Sequence, residues 1–155
     1  MQEICAQEEI CRRFNDLPWH DSELRGVRVN YSANANGHEN RYEVILNVDL
    51  RSTEIAAAQE RFMAVEIKFS QARIFHADLD LSGVAYCGGD ISGAKCEEKS
   101  DFMRQTDETR IANFDLPQDE QPLANLKHFR ISLCPPSGQI NVIAKDFEMI
   151  KLASR

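Results

Sequence analysis

The chain has 155 residues, of which 43% are apolar and 28% are charged, and its formal net charge is −7. These values are typical of an ordinary globular protein and exclude an intrinsically disordered chain. No apolar stretch approaches the roughly 20 residues of a membrane-spanning helix, and the N-terminus lacks the basic flank and apolar run of a secretory signal. We therefore expect one cytoplasmic domain over residues 1–155 that makes no contact with a membrane.

The N-terminal third of the chain predicts a helix followed by a β-hairpin. Residues 2–15 carry a rough apolar stripe, and Pro18 ends this segment because a proline disfavours helix at the residue before it. Strands are predicted over 23–31 and 41–51, where apolar and polar residues alternate with a period of two. The turn Asn34–Gly37 joins them, since Asn and Gly adopt positive φ at low cost.

The middle of the chain predicts two further strands and then a break in the pattern. Apolar residues alternate over 63–69 and 75–81 with no Gly or Pro between them. These segments form either a hairpin or one long strand that bends at a bulge near Gln71. Residues 82–124 contain four glycines and two prolines. They predict a mobile excursion that holds one short helix near residues 99–105.

The C-terminal part predicts a late hairpin. Alternating apolar residues from Phe129 to Leu133 are followed by a turn over Pro135–Gly138 and by a final strand that begins at Ile140. The apolar phase of this last strand shifts by one residue towards its end. A β-bulge at Lys145-Asp146 would absorb the shift.

Together these elements predict an α+β fold that is mainly β. We expect the N-terminal helix to pack on a curved antiparallel sheet of five or six strands, with the acidic excursion before the last hairpin. The expected core consists of Trp19, Val27, Val29, Val44, Leu46, Val48, Val65, Ile67, Phe69, Ile131, Leu133 and Val142.

The cysteines and glycines carry no recognisable chemical motif. The five cysteines are odd in number and include no CxxC pair, which argues against a disulfide framework and a structural zinc site. We interpret them as reduced, mostly buried thiols. Gly88-Gly89 does not match a dinucleotide or phosphate-binding loop, and the common hydrolase and zinc-protease signatures are absent. No cofactor is expected.

The charge is concentrated in one stretch. Residues 97–120 contain eight acids against three bases, so they carry −5 of the net −7. Binding to a phosphate backbone requires clustered Lys and Arg, which are absent, and we do not expect a nucleic-acid partner. An acidic surface attracts a basic protein instead. The candidate binding residues in this stretch are Glu97, Glu98, Asp107 and Glu108.

A second candidate lies just before the first strand, where Trp19 precedes His20-Asp21. A functional interpretation makes His20 a general base oriented by a carboxylate. Adjacent residues of an extended segment point to opposite sides, however, so Asp21 is poorly placed to orient His20. In the structural alternative, Trp19 fills the core and Asp21 or Ser22 caps backbone donors at the strand entry. We keep Trp19, His20 and Asp21 as candidate binding residues.

The segment His20–Leu24, followed by Val27 and Val29, resembles the opening of a group of small bacterial proteins that begin with a His-Asp-small residue motif. Some members of this group are classed as immunity proteins of polymorphic toxin systems, such as the immunity protein 50 family. The chain is also similar to these proteins in size, in its mainly β pattern and in its late hairpin. The resemblance implies a small binding protein and transfers no catalytic residue.

The third candidate is the polar face formed by His76, Asp78 and Asp80. His and carboxylate ligands suit zinc, manganese or iron. At about 3.3 Å per residue, His76 and Asp80 lie about 13 Å apart, so the three cannot share one ion. A site would need another ligand such as His20 or His128. We interpret the pattern instead as the solvated outer face of an amphipathic strand, and His128, which shares a face with Arg130 and Ser132, as a solvated strand residue.

We therefore expect a non-enzymatic protein-binding module, immunity-like, that presents an acidic surface to a basic partner. The alternative is a metal-assisted hydrolase that uses the His20/Asp21 and His76/Asp78/Asp80 clusters, with His20, His76 and Asp78 as metal ligands.

Overall fold

A computed structural model describes residues 2–33, 40–51, 62–82, 89–113, 123, 125–135 and 137–153. Within these residues the chain forms two helices and eight strands. The helices are α1 (Gln2–Asn15) and α2 (Asp101–Asn113). The strands are β1 (Glu23–Ala33), β2 (Asn40–Arg51), β3 (Phe62–Ser70), β4 (Ile74–Leu79), β5 (Ile91–Glu97), β6 (Lys127–Leu133), β7 (Gly138–Ala144) and β8 (Asp146–Lys151).

The described strands form two antiparallel sheets of four strands each. The first sheet has the order β1-β2-β3-β8 and the second has the order β4-β7-β6-β5. The mainly β, α+β fold is thereby confirmed, as are α1, the β1–β2 hairpin and the late β6–β7 hairpin. The expectation of a single sheet with five or six strands is wrong. The predicted turn at Asn34–Gly37 lies outside the described residues.

Two antiparallel strand pairs connect the sheets at a corner. β3 pairs with β8 in the first sheet, and β4 pairs with β7 in the second. Between these ladders, residues 71–73 face residues 144–145, so one side of the corner has an extra residue. Gln71 adopts a φ of 54° there, and a bulge of this kind lets a strand change sheets.

This corner explains both the bend near Gln71 and the phase shift near Lys145. β3 and β4 do not pair with each other, so the long bent strand is correct and the hairpin is not. The phase shift near Lys145 is also real, but it marks the passage from β7 to β8 between two sheets. A bulge within one sheet would leave both halves of the strand in the same layer.

The inner faces of both sheets and α1 share one hydrophobic core. Phe14 is fully buried at its centre, with ring centroids 4.7 Å from Trp19, 5.0 Å from Phe129 and 5.2 Å from Phe147. The indole Nε1 of Trp19 donates a hydrogen bond of 2.7 Å to the carbonyl oxygen of Phe14. Helix α1 is thus fixed to the core at its C-terminal end.

The predicted core is largely confirmed. Ten of its residues are buried, namely Trp19, Val44, Leu46, Val48, Val65, Ile67, Phe69, Ile131, Leu133 and Val142. Val27 is half-buried against the same cluster. The assignment of Val29 to the core is wrong, because its side chain is 49% exposed on β1, which forms the edge of the first sheet.

The stretch 82–124 contains more regular structure than the sequence indicates. It includes the edge strand β5 and the helix α2, which begins two residues later and extends eight residues further than the helix predicted near 99–105. Strand β5 lacks the regular alternation of the other strands, because Gly93 interrupts it beside a register shift. Residues 83–88 and 114–122 lie outside the described residues.

Candidate binding cleft

Helix α2 begins at a conventional cap. The Oγ atom of Ser100 accepts a hydrogen bond of 3.1 Å from the backbone N–H of Met103, which satisfies one of the amides that a helix N-terminus leaves unpaired. Asp101 lies in the first turn, where a negative charge is favourable near the helix dipole. These two polar residues explain why the helix starts here.

Helix α2 covers the outer face of the second sheet. Its buried residue Met103 packs in a small apolar cluster with Leu123 and Ile143, and Phe102 lies beside them. This cluster is separate from the core between the sheets. The outer face of the second sheet is therefore partly enclosed, which the alternation of its strands does not reveal.

His128 lies beneath this helix and is 2% exposed. Its Nδ1 atom is 2.8 Å from Ser100 Oγ and its Nε2 atom is 2.8 Å from Asn141 Oδ1. The ring of Phe102 stacks on the imidazole with centroids 4.8 Å apart. Burial lowers the pKa of His128, opposed by its hydrogen bond to Asn141. The interpretation of His128 as a solvated strand residue is wrong.

A cleft of about 1040 Å³ opens between α2 and the strands β5 and β6. We call it the acidic cleft. Its lining carries five carboxylates against three cations and has an apolar portion. The carboxylates are Glu97, Glu98, Asp101, Asp107 and Glu108. The cations are Lys99, Arg104 and Arg130, and the apolar residues are Phe102, Met103 and Leu123. All four acids predicted from the charge pattern thus line one cavity.

Two of these predicted acids are paired within the protein. Glu97 is 2.7 Å from Lys95, and the hydrogen bond from this lysine is the main cause that lowers the pKa of Glu97. Glu108 is 3.0 Å from Arg104, one helical turn earlier on α2. Both pairs are partly or largely exposed to solvent, where such contacts are weak. Because these pairs are weak, an incoming cation can displace Lys95 from Glu97 or Arg104 from Glu108.

The other two acids differ in their surroundings. Asp107 accepts a hydrogen bond of 3.1 Å from the backbone N–H of Leu123 and lies 3.6 Å from Arg110. It holds Leu123 against the helix. Glu98 is half-buried, and its buried Oε1 atom has no hydrogen-bond partner within the described residues. Asp107 Oδ1 is also buried without a hydrogen-bond partner, but Arg110 lies beside it, so Glu98 is the carboxylate best prepared for an incoming cation.

The cluster before β1 lies elsewhere. Asp21 donates its backbone N–H to Ile91 at the start of β5, whereas Glu97 ends that strand. Six residues of strand separate them by roughly 20 Å. Trp19 is buried in the core and offers no surface to a partner. The predicted binding residues therefore do not form one continuous surface.

His20 and Asp21 are nevertheless close to each other. His20 Nδ1 is 3.1 Å from Asp21 Oδ2, and the same oxygen is 2.5 Å from Arg51. Asp21 has a φ of 64°, so this segment is not extended, and the expectation that the two side chains diverge is wrong. All three side chains are exposed. Ser22 makes the predicted capping contact by accepting a hydrogen bond from the backbone N–H of Arg51 at 2.9 Å.

The proposed metal ligands are not assembled into a site. His76 and Asp78 are exposed on β4, at the edge of the second sheet, while His20 precedes β1. Across the described residues, no group of three His, Cys, Asp or Glu side chains is placed to hold a metal ion. Asp80 is also exposed and accepts a hydrogen bond from the backbone of Ser82.

The structure brings two cysteines together that the sequence does not relate. Cys11 of α1 and Cys96 of β5 have Sγ atoms 2.6 Å apart. They are 85 residues apart in the chain, and no local spacing motif could indicate their contact. Cys134 is half-buried and lies apart from this pair in the β6–β7 turn, whereas Cys87 lies outside the described residues.

Comparisons with protein-family models, with curated proteins and with solved structures found no match to this chain. Neither described helix is long and apolar enough to cross a membrane.

Proposed function

We propose that this protein is a non-enzymatic cytoplasmic binding module that receives a basic segment of a protein partner in the acidic cleft. The observation that carries the proposal is that Glu97, Glu98, Asp107 and Glu108 line one cavity. Charge concentrated along a sequence does not by itself produce a shared cavity. Here the turn between β5 and α2 brings these carboxylates to the same side of the second sheet.

The lining of the acidic cleft fits a long basic side chain. Four of the five carboxylates are paired with Lys95, Arg104 or Arg110, and Glu98 is the carboxylate of the lining for which the described residues show no ion pair. The carboxylate of Glu98, which lines the cleft, supplies an acceptor for a guanidinium or ammonium group, and charge-assisted hydrogen bonds of this kind are the strong ones. Phe102 and Met103 supply apolar contact for the aliphatic stem.

The immunity-like character of the module is part of the proposal. The resemblance of the segment from His20 to Val29 to the immunity protein 50 family supports a binding role. An immunity protein acts by occupying its toxin, and a basic toxin surface would complement the cleft. A toxin gene next to the gene for this protein would support this assignment, and co-purification of the two products would identify the partner.

Titration with a synthetic peptide tests the cleft directly. A fluorescent peptide of alternating Arg and Ala is compared with the same peptide carrying Glu in place of Arg. We expect the Arg peptide to bind measurably at low salt and the Glu peptide not to bind. The affinity should fall as salt increases, because the cleft and peptide charges are screened.

A pair of variants with equal charge change locates the binding. The cleft variant carries E97Q, E98Q, D107N and E108Q, and the control carries E8Q, D16N, D78N and E148Q on exposed positions elsewhere. Asn at position 107 retains an oxygen that can accept the Leu123 N–H. We expect the cleft variant to bind at least about tenfold more weakly than the wild type, and the control to bind less than about threefold more weakly. Equal loss in both variants would leave only a general charge effect and would contradict the proposal.

The structure offers no observation in favour of the metal-assisted hydrolase. His76 and Asp78 are on β4 whereas His20 precedes β1, and no three candidate ligands among the described residues are grouped for one ion. We therefore do not propose it.

A further inference from the structure

Cys11 and Cys96 are held in contact by the packing of α1 against the edge strand β5. Their Sγ atoms are 2.6 Å apart. The side chain of Asn15, one turn after Cys11, accepts a hydrogen bond of 2.7 Å from the backbone N–H of Cys96 and donates one of 3.4 Å to its carbonyl oxygen. These bonds fix the helix at the position of the second cysteine. The contact between the two thiols is therefore determined by the packing of α1 on β5.

The two thiols have unequal surroundings. Cys96 is 3% exposed, whereas Cys11 is half-buried at the surface of the core. The hydrogen bond between them lowers the pKa of Cys11 and, together with burial, raises the pKa of Cys96. Cys11 is thus the more readily deprotonated thiol of the pair.

A buried cation favours the thiolate further. Lys127 is 1% exposed and stands at the start of β6, on the same strand face as the core residue Phe129. Its positive charge lowers the pKa of both thiols, while Glu98 opposes this effect. A cation beside a partly accessible thiol is the environment of a reactive cysteine.

We propose that Cys11 and Cys96 are a redox-active pair that reacts with a low-molecular-weight disulfide, with Cys11 as the attacking thiol and Cys96 as the resolving thiol. This site is separate from the proposed function of the acidic cleft. Accessibility assigns the order, since the reagent can approach half-buried Cys11 but not Cys96. The sulfur atoms need to approach by only about 0.5 Å to reach the disulfide length of about 2.05 Å.

The reaction proceeds by two exchanges. The Cys11 thiolate attacks one sulfur of the small disulfide, whose S–S bond breaks, and the departing thiolate takes a proton from water. Cys96 then loses its proton to water and attacks the Cys11 sulfur, releasing the second small thiol. One small disulfide is reduced to two thiols, and the two cysteines are oxidised to one internal disulfide. The product joins α1 covalently to β5.

Mass spectrometry of the full-length protein tests this assignment. The reduced protein is incubated with glutathione disulfide, quenched with acid at intervals, and mapped by non-reducing proteolysis. We expect a product lighter by two hydrogen atoms that contains a Cys11–Cys96 linked peptide, preceded by a transient glutathione adduct on Cys11. The C134S control should behave as the wild type does.

Single variants separate the two roles. We expect C96A to accumulate a stable glutathione adduct on Cys11, and C11A to form no adduct on Cys96. The wild-type product decides the proposal even where a variant fails to fold. A wild-type product linked through another cysteine, a lasting adduct on Cys11, or no reaction at this pair would overturn it.

Discussion

The Nε2 atom of His128 lies 2.8 Å from Oδ1 of Asn141, on the neighbouring strand of the second sheet. Because Oδ1 can only accept, the Nε2 atom carries the proton. On the other side of the ring, the hydroxyl of Ser100 is 2.8 Å from Nδ1 and can donate to it. The neutral imidazole therefore has both nitrogens satisfied, and it connects the cap of α2 to two strands.

This arrangement predicts an acid-sensitive contribution to stability. Burial lowers the pKa of His128 in the native protein, and nearby Arg130 lowers it further while Glu97 raises it. Below the unfolded value of about 6.5, the unfolded chain binds a proton here that the native protein does not. As the pH decreases below 6.5, the free energy of unfolding therefore decreases by up to about 1.4 kcal/mol per pH unit, until the native pKa is reached. Above pH 6.5 this contribution is constant.

Urea unfolding from pH 5 to 7.5 measures the effect. We expect H128Q to lower the free energy of unfolding by about 1 to 2 kcal/mol at pH 7.5, because the glutamine makes imperfect hydrogen bonds. On acidification, the free energy of unfolding of H128Q should decline less steeply than that of the wild type. N30A, a change at an exposed asparagine on β1, should keep the wild-type slope. If H128Q and the wild type decline in parallel, His128 does not titrate as its burial implies.

The position of His128 could not be predicted from its strand pattern. His128, Arg130 and Ser132 alternate with apolar residues, and such a face is solvated unless another element covers it. That element is α2, where seven polar residues at 104–110 separate Phe102-Met103 from Ile111-Ala112. A helix with so short an apolar stripe resembles a surface segment in sequence. The sequence therefore predicts too short a helix, within a segment that it indicates to be mobile.

The strands were easier to predict than their arrangement. Period-two alternation identified β1, β2, β3, β6 and β7 because apolar residues recur at every second position of each. The same alternation is compatible with one sheet or two. The distinction depends on the corner at residues 71–73 and 144–145. A one-residue phase shift is the only local trace of that corner, and it is equally typical of a bulge within a sheet.

Val29 and Val44 provide a direct test of the difference between pattern and burial. They are directly opposite each other on β1 and β2, and both fit the apolar alternation. Val44 is 1% exposed and Val29 is 49% exposed. We expect V44A to lower the free energy of unfolding by about 2 kcal/mol and V29A to change it by less than about 1 kcal/mol. Chemical denaturation at neutral pH measures both, and equal losses would place Val29 in the core after all.

Gly138 is required by the turn between β6 and β7. Its φ is 105°, and a Cβ atom there would overlap the carbonyl oxygen of Asp78 on β4. We expect G138A to lower the free energy of unfolding by at least about 2 kcal/mol, because both the backbone conformation and the close approach of β4 oppose a side chain. Thermal or urea unfolding measures this loss.

Gly93 is the matched control for that substitution. It also lies in the second sheet, but a Cβ atom at this position meets no atom within 4 Å. We expect G93A to leave stability unchanged within about 0.5 kcal/mol. If G93A and G138A lowered the free energy of unfolding by similar amounts, the effect would reflect a general intolerance of side chains in these strands, and not the geometry at Gly138.

The candidate cleft was partly predictable because its acids are close in sequence. The concentration of charge between residues 97 and 120 marks a region, and β5 and α2 keep part of it on one side of the sheet. Which carboxylates are already paired depends on contacts such as Lys95 with Glu97. The special state of Glu98 depends on burial of one oxygen atom. Neither has a signature in composition or spacing.

Asn15 closes the exposed edge of β5. Through its two hydrogen bonds to Cys96 it supplies the partners that a neighbouring strand would otherwise provide, and unpaired strand edges are liable to associate with other chains. We expect N15A to lower the free energy of unfolding by about 1 to 2 kcal/mol, because a partly buried N–H and C=O each lose a partner. N15D should fall between N15A and the wild type, since it can accept from the amide but cannot donate to the carbonyl.

Two measurements separate this role of Asn15 from a general effect on α1. Urea unfolding gives the loss of stability, and hydrogen exchange at the Cys96 amide reports the local bond, which should exchange faster in N15A and remain protected in N15D. N30A, at an exposed asparagine on β1, should leave both quantities as they are in the wild type. Unchanged protection of the Cys96 amide in N15A would mean that the edge of β5 is held by other contacts.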